Sequence, residues 1–404
     1  MLLMRRLLLC GLVAGFVLAT GGKAQQESTG QVSPPAGGNL GEPGSASLTT
    51  QFGFFDSEDD LAGNPFLDED LTVIEPIFLW DHNVSEDWGY SVLLSYDNIS
   101  SASIDRLNAF PEQTGASGDF YYGLDYASRH RQENGDWLGW STGFSIEYDY
   151  ISFRSGINYS SESPDKNVAQ RFGLTGFFDI VDIIRFDGAE DEGSDTRISI
   201  TGTYNRTQVL SPKWTSEMGV TLAAQTGFLE TAFNAVVLED PSLTDPNPNL
   251  VGGVPGIEVT EELPETRLRG ALNYKARRYL GPGKAIELGG RFYADDWGIF
   301  SYSIEPRLFL PIVRERLALR LRYRYYTQTG ADDFRTTFAG TVESDAPGFR
   351  TQDSDLGEFD SHTYGARIDW TPPGRWRWFL DVNQSEREDG LDYFYASVGT
   401  TVAF

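Results

Sequence analysis

The 404-residue sequence predicts an all-β fold, a transmembrane antiparallel up-and-down β-barrel of about 16 strands, within a range of roughly 14 to 18. Segments of about ten to fourteen residues alternate apolar and polar side chains along most of the chain, and short connections between them alternate with longer ones. The chain also ends on such a segment, whose last residue is Phe404. Extended strands have this two-residue period because successive side chains point to opposite faces of a sheet.

The first residues predict export through a signal peptide. Arg5 and Arg6 precede an apolar run at residues 7–20, and small residues follow at a suitable distance for cleavage. The apolar run is shorter than the roughly 20 residues that a membrane-spanning helix needs. We therefore predict a signal peptide at residues 1–24.

The remaining chain divides into a leader and a barrel. Residues 25–46 are rich in Gly, Pro, Ser and Gln without periodicity, which predicts a disordered periplasmic leader, and the barrel is predicted at residues 47–404. Cys10 is the only cysteine and lies in the predicted signal peptide, so the mature barrel is predicted to lack disulfides. The signal peptide carries three cations and no acid, so its removal changes the net charge from −27 to −30. This acidity argues against nucleic acid as a partner.

Sixteen segments have the alternating pattern of a strand. In the stretch "RLALRLRYRYY", leucines and tyrosines occupy one face, whereas Arg320, Arg322 and Arg324 occupy the other. The sixteen predicted strands are 47–56, 70–81, 87–97, 119–131, 136–148, 150–161, 166–181, 194–209, 213–226, 265–278, 284–294, 298–312, 315–328, 361–371, 375–385 and 391–404.

The second predicted strand leaves its inward face undecided. Glu75 and Asp81 share one face with Val73 and Ile77, and the other face is also largely apolar. Alternation alone therefore does not say which face of this strand meets the interior.

The connections predict the two ends of the barrel. Seven of them are short: "HNVSE", "QENGD", "SPDKN", "LSPK", "LGPGK", "VRE" and "TPPGR". The others are mostly longer and rich in carboxylates, as in residues 56–70, 187–195, 227–265 and 329–360. This alternation predicts short periplasmic turns and long acidic extracellular loops, with an even strand number if both termini are periplasmic.

A water-soluble β-sandwich would also show alternating strands, but two observations favour the membrane barrel. The polar faces carry many charged residues at strand centres, as a wet lumen allows. Aromatic residues also lie near strand ends, as they do at membrane interfaces. These are Trp88, Trp140, Tyr148, Trp214, Trp376 and Trp378.

The final segment predicts a role in assembly. Residues 391–404 should pair with the strand at 375–385 and also with the first strand at 47–56, which would close the barrel. The segment resembles the C-terminal signal that the outer-membrane assembly machinery of Gram-negative bacteria recognises, with apolar alternation and a terminal Phe. The residues that carry this resemblance are Phe394, Val398, Val402 and Phe404.

Four stretches resemble domain-of-unknown-function family 3570, a family of bacterial outer-membrane proteins. They are "YDNISSAS" (96–103), "EYDYISFRSGINYS" (147–160), "RFYADDWGIFSYSIEPRLFLP" (291–311) and "LRYRYYTQTGADDF" (321–334). The resemblance extends over roughly residues 48–404 and implies the barrel and its location, but no reaction, ligand or catalytic residue. One departure from the family pattern is "FSYS" at 300–303, where a Ser-His-Thr-like sequence is expected.

The polar faces of the strands from residue 265 onward predict a locally basic lumen wall. Its cations are Arg267, Arg269, Lys275, Arg291, Arg307, Arg320, Arg322, Arg324, Arg367 and Arg377. Its acids are Glu287, Glu305, Asp369 and Asp381. Either this wall attracts anions into a pore, or its arginines pair with carboxylates and narrow or close the lumen.

Two carboxylate pairs are predicted at the extracellular rim, within the motif blocks. The pairs are Asp295–Asp296 and Asp332–Asp333, and Trp297 and Gly298 directly follow the first pair. Carboxylates beside glycine suit Ca²⁺, so the four aspartates are a weak calcium candidate. Their spacing matches no EF-hand or repeat calcium loop, and the alternative is that they cap loop amides or pair with arginine.

The leading functional prediction is a porin-like channel for small solutes, and no cofactor is predicted. The alternative is a plugged barrel with a structural or partner-binding role, in which periplasmic turns or acidic loops bind other envelope components. The apolar stretch 228–238 in the longest loop is expected to fold inward as a constriction or to cover the mouth. An outer-membrane enzyme acting on lipid is third, because His82, His130 and His362 lie far apart in the predicted topology. The expected partners are outer-membrane lipid, lipopolysaccharide and the assembly machinery.

Overall fold

The computed structural model describes most of the predicted barrel. The described residues are 42–59, 70–101, 119–147, 150–183, 193–230, 235–240, 242–243 and 255–404. The predicted signal peptide and most of the predicted leader lie outside the described residues, as do parts of the predicted long loops.

Nineteen strands form in the described residues. In chain order they are β1 (Ala46–Asp59), β2 (Leu71–Asn83), β3 (Trp88–Ser101), β4 (Asp119–Arg131), β5 (Trp137–Ile146), β6 (Tyr150–Glu162), β7 (Val168–Asp182), β8 (Ser194–Ser211), β9 (Trp214–Gly227), β10 (Ala235–Glu239), β11 (Gly256–Thr260), β12 (Thr266–Gly281), β13 (Lys284–Asp295), β14 (Phe300–Val313), β15 (Leu317–Gln328), β16 (Phe338–Ala339), β17 (Phe359–Trp370), β18 (Trp376–Arg387) and β19 (Leu391–Ala403). Two short 3₁₀ turns, Glu343–Asp345 and Ser354–Leu356, are also present.

Sixteen of these strands close into one antiparallel barrel, which confirms the predicted fold class and strand number. Each barrel strand pairs with its neighbour in sequence, and the barrel passes directly from β9 to β12 and from β15 to β17. The remaining strands β10, β11 and β16 form a separate small sheet. No helix in the described ranges is long and apolar enough to cross a membrane.

The first and last strands form the seam of the barrel, as the sequence predicted. β19 pairs with β18 on one side and with β1 on the other, where thirteen residue pairs run from Ser47 opposite Ala403 to Asp59 opposite Leu391. The backbone N–H of Phe404 donates to the carbonyl oxygen of Ala46 at 2.8 Å. Closure gives every edge strand a partner, which a sheet in contact with lipid requires.

The two faces of the sheet differ sharply in polarity. Large apolar side chains are exposed on the outer face, and those of Leu268, Leu288 and Phe292 are more than half exposed. The alternate residues of the same strands point inward and are mostly polar or charged. An apolar outside around a polar inside is the arrangement that a lipid bilayer stabilises.

The register also decides the face of β2 that the sequence left open. Val73, Glu75 and Ile77 point inward and are almost fully buried, whereas Ile74 and Phe78 point outward and are exposed. This strand therefore places an apolar strip with an embedded carboxylate on the lumen side, unlike the arginine-rich strands on the other wall.

Short turns and long loops lie at opposite ends of the barrel, which we name the short-turn end and the long-loop end. The short-turn end carries the connections 84–87, 132–136, 163–167, 212–213, 282–283, 314–316 and 371–375. The long-loop end carries the connections 228–265 and 329–358, among others.

The small sheet lies within these two long loops and was not predicted. β11 and β16 both pair with β10, and Val236, Leu238, Val259 and Phe338 form the buried core of this sheet. The three strands have only five, five and two residues, too few for alternation to identify them.

The Asp345 carboxylate lies in the same long loop as β16. It accepts hydrogen bonds from the backbone N–H groups of Thr341 and Val342, and these bonds lower the pKa of this carboxyl.

Deleting Phe404 tests the seam. We expect the deletion to reduce severalfold the amount of folded, heat-modifiable barrel recovered from membranes, because the residue pairs with Ala46 and its ring lies 5.9 Å from that of Trp80. Phe404→Tyr, which keeps the backbone and an aromatic ring, should assemble normally. Equal recovery of the deletion variant and the wild type would contradict the proposed role of this residue.

Candidate functional site in the arginine-lined lumen

The structure places all fourteen predicted lumen residues on the inward faces of barrel strands between β12 and β18. The ten cations lie on β12, β13, β14, β15, β17 and β18, and the four acids lie on β13, β14, β17 and β18. The cross-strand register gives each of them the same side, opposite the exposed apolar residues. Cations outnumber carboxylates on this wall.

One ion-pair network joins β12, β13 and β14. The Glu287 carboxylate accepts from Arg277 at 2.8 Å and from Arg307 at 3.1 Å. Arg307 also contacts Glu305 on its own strand. On the β9 side of the same strands, Lys275 pairs with Glu217 at 3.0 Å.

A second network joins β15, β17 and β18. The Asp381 carboxylate lies 3.0 Å from Arg320 and 3.6 Å from Arg367. Arg367 also contacts Asp369 at 2.9 Å, and Asn383 donates to Asp381 at 2.8 Å. The predicted pairing of arginine with carboxylate therefore describes this wall, although pairing alone does not close a lumen.

The lumen differs between its two ends. Near the short-turn end, the Arg277 side chain is 47% exposed and that of Arg320 is 25% exposed, although both contact carboxylates. Near the long-loop end, the side chains of Arg267 and Arg387 are only 5% and 4% exposed. Water therefore reaches the basic wall in the short-turn half, whereas protein fills much of the long-loop half.

Residues 350–357 supply part of that filling, and we name this segment the roof segment. Arg387 pairs with Asp355 at 2.5 Å. The Gln328 side chain donates to the carbonyl oxygens of Asp355 at 2.9 Å and of Gly357 at 2.6 Å. These bonds attach the roof segment to the inward faces of β15 and β18.

The sequence pattern did not predict these anchoring residues. Arg387 shares the inward parity of Arg377 and Asp381, so extending the predicted strand from residue 385 by two residues would have included it. No comparable signal marks Asp355, because its position depends on how a long loop folds back.

Asp295 organises the first rim motif. Its carboxylate accepts from Arg267 at 2.5 Å and from the Tyr293 hydroxyl at 2.7 Å. It also accepts from the backbone N–H groups of Trp297 and Ile299 at 3.2 and 2.9 Å. These contacts satisfy the carboxylate without a metal, in agreement with the packing alternative.

The rest of the motif fixes the turn between β13 and β14. Asp296 accepts from the backbone N–H of Leu268 at 2.8 Å. Trp297 packs in a buried cluster under the roof segment and accepts a backbone hydrogen bond from Asp332 at 2.8 Å. Gly298 has a φ of +89°, and a Cβ there would lie only 2.5 Å from the Asp332 carboxylate.

The second rim pair, Asp332 and Asp333, forms hydrogen bonds to Trp297 and to the roof segment through its backbone. The carbonyl oxygen of Asp333 accepts from the backbone N–H of Thr351, at the start of the roof segment. In the part of the chain that the structure describes, no group of three or more His, Cys, Asp or Glu residues is arranged to hold a metal ion.

A cavity of about 330 Å³ lies inside the barrel beneath the roof segment. Arg154, Arg197, Arg267 and Arg269 contribute to its lining, together with apolar residues of the loops. Arg197 is paired with Asp179 at 3.0 Å. The Arg269 Nε is buried and has no hydrogen-bond partner.

The three histidines lie on the outward face of different strands. The Nε2 of His130 is 2.9 Å from the Ser128 hydroxyl, and the Nδ1 of His362 is 2.8 Å from the Tyr323 hydroxyl. His82 packs against aromatic residues of β2 and β3. The structure does not bring these histidines together.

A family model described as "Protein of unknown function (DUF3570)" matches residues 122–390, and no curated protein matches the sequence. The ferric enterobactin receptor of Pseudomonas aeruginosa has 14% identity to this chain and a TM-score of 0.43. The match covers 86% of this chain but only 54% of the receptor. A bacterial polysaccharide outer membrane secretin has 7% identity, a TM-score of 0.47, and coverage of 89% of this chain and 98% of its own. The monoaromatic hydrocarbon channel CymD has 8% identity, a TM-score of 0.40, and coverage of 90% and 89%. At these levels the likenesses carry no argument about function.

Replacing Arg387 with Gln tests the attachment of the roof segment. We expect a loss of roughly 3 kcal/mol in the free energy of unfolding, because Asp355 would remain buried without its cation. Thermal and denaturant unfolding of the purified barrel measures the change.

The matched control is Arg377→Gln, on the same inward face of β18 but exposed. It should change stability by less than about 0.5 kcal/mol, and adding Asp355→Asn to Arg387→Gln should restore part of the loss. Equal effects of Arg387→Gln and Arg377→Gln would contradict the anchoring role.

Proposed function

Because the chain belongs to the DUF3570 family, as the sequence resemblance predicted, and that family is described only as proteins of unknown function, we propose the function of this protein from the side chains that line its lumen. The protein is a channel through which small anionic solutes cross the outer membrane of a Gram-negative bacterium. The partly exposed arginines of the inward wall are the observation that carries this proposal.

These arginines provide a favourable path for anions. The side chains of Arg277, Arg320 and Arg367 remain 21–47% exposed inside the barrel while they contact carboxylates. Because cations outnumber carboxylates on this wall, the local potential is positive although the whole chain has a net charge of −27. Basic residues that line a pore favour anions in this way.

The size of the barrel and the roof segment together limit which solutes pass. A barrel of sixteen strands is wide enough to enclose an aqueous channel. The roof segment and the cluster around Trp297 narrow the long-loop end, so only small solutes pass beside them. The cavity beneath the roof segment provides an intermediate position for such a solute.

A plugged barrel with a structural or partner-binding role is the second candidate. It is favoured by the firm attachment of the roof segment through Arg387 and Gln328. If the roof segment leaves no continuous path, the arginine networks serve to hold the barrel walls, and conductance measurements distinguish the two functions.

The proposed location and partners follow from the surface. The exposed apolar outer face supports residence in a bilayer, and the final strand supports handling by the outer-membrane assembly machinery. The acidic loops fit contact with lipopolysaccharide phosphates through divalent cations. We propose no enzymatic activity, because the histidines are dispersed on the outward face.

Conductance in planar lipid bilayers tests the channel. The wild-type barrel should give stable current steps and anion selectivity in a salt gradient. We expect the double variant Arg322→Gln/Arg324→Gln to lower the anion-to-cation permeability ratio roughly threefold, because two inward charges are removed.

The matched control is Arg314→Gln/Arg316→Gln, which removes the same charge from the turn between β14 and β15, outside the lumen. This control should leave selectivity unchanged. A correctly folded wild-type barrel without conductance would overturn the channel and favour the plugged barrel.

A further inference from the structure

A cluster of buried oxygen atoms lies on the inward wall at β3, β2, β1 and β19. It consists of Asp97 on β3, Glu75 on β2, Gln51 on β1 and Ser397 on β19. Asp97 is 4% exposed, and the other three residues are fully buried. The four side chains therefore lie on both sides of the seam between the first and last strands.

The oxygen atoms of this cluster lack donors. Both carboxylate oxygens of Glu75 have no hydrogen-bond partner, and neither do the Oδ1 of Asp97, the Oε1 of Gln51 and the Oγ of Ser397. The Gln51 amide nitrogen points to the Tyr395 hydroxyl at 3.5 Å, so its oxygen remains available. No cation of the described residues forms an ion pair with either carboxylate.

The register brings these groups close to one another. Ile74 lies opposite Asn98 and Ile77 opposite Ser95 in the antiparallel pair of β2 and β3, and this register places Glu75 opposite Asp97. Gly53 lies opposite Glu75 on one side and opposite Ser397 on the other. Gly53 has no side chain, so it places none between Glu75 and Ser397 on the inward face.

A second Ile-Glu-Pro sequence in the same barrel provides an internal comparison. Residues 304–306 repeat the sequence of residues 74–76, and Glu305 also points inward. There the carboxylate contacts Arg307, two residues further along its strand, and Arg324 lies opposite it on β15.

The equivalent positions in β2 supply no cation. Ile77 takes the position of Arg307, and Asp97 takes that of Arg324. Thus the same local backbone carries a compensated carboxylate at Glu305 and two uncompensated carboxylates at Glu75 and Asp97. Burial of adjacent like charges without a partner is unfavourable.

We propose that Glu75, Asp97, Gln51 and Ser397 bind one divalent cation, with Ca²⁺ the preferred ion. Two carboxylates neutralise a divalent charge, and the amide and hydroxyl oxygens supply further ligands of the hard type that Ca²⁺ prefers. Ca²⁺ tolerates irregular oxygen geometry better than Mg²⁺, which requires near-octahedral geometry and usually keeps several waters. The cation joins β3 and β2 to β1 and β19 and so reinforces the seam.

Calcium titration of the purified full chain in detergent, after treatment with a chelator, tests this site. We expect one tightly bound Ca²⁺ per chain by equilibrium dialysis and a calcium-dependent rise in the unfolding temperature, with Mg²⁺ giving a smaller rise. Glu75→Gln/Asp97→Asn should lower calcium affinity roughly tenfold or more and abolish the rise.

The matched control Glu343→Gln/Asp345→Asn removes two exposed carboxylates from a long loop and should preserve both effects. In chelator, Glu75→Gln/Asp97→Asn should be at least as stable as the wild type, because its amides do not repel each other, so a folding failure is not expected. These readouts are independent of conductance, and the site stands whether or not the barrel is a channel.

The proposal is overturned if calcium changes neither binding nor unfolding temperature in the wild type. It is also overturned if stability depends on pH alone, since the two carboxyl groups would then share a proton. Equal calcium binding by the wild type and Glu75→Gln/Asp97→Asn would assign the ion to the acidic loops instead.

Discussion

The hydrogen bonds between β1 and β19 are the constraint on which the rest of this structure depends. A sheet whose outer face is apolar can lie in lipid only if no strand edge exposes unpaired backbone groups. The seam removes both edges at once, and the sixteen-strand ring then fixes which side of every strand is inside. The apolar outer surface and the charged interior are both consequences of this closure.

Closure also determines how the charges must be arranged. Inward arginines contact carboxylates on adjacent strands even where water reaches them, and Glu287 and Asp381 each contact two arginines. The carboxylates of Glu75 and Asp97 are unusual, because no cation of the described residues pairs with them, whereas Asp81 on the same strand as Glu75 is paired with Arg129. The arginine-rich strands β12 to β18 therefore contrast with β1, β2, β3 and β19, where buried oxygen atoms lack hydrogen-bond partners.

The shape of the long-loop end arises from contacts between residues distant in sequence. The motif at Asp295 and Trp297 holds the turn between β13 and β14, and the roof segment bonds to β15 and β18. Local patterns revealed the motif residues but not their partners, since a loop of thirty residues has many ways to fold back. The small sheet of β10, β11 and β16 escaped prediction for the same reason, together with its short strands.

The sequence by itself determined the barrel, its sixteen strands and the inward face of most of them, because alternation and turn spacing are local properties of the chain. It did not determine the face of β2, where both faces are apolar, and only pairing with β1 placed Glu75 inside. It also did not determine which acid meets which arginine, or that Arg387 holds Asp355. Those contacts depend on register, strand tilt and loop path, which exist only once the ring has closed.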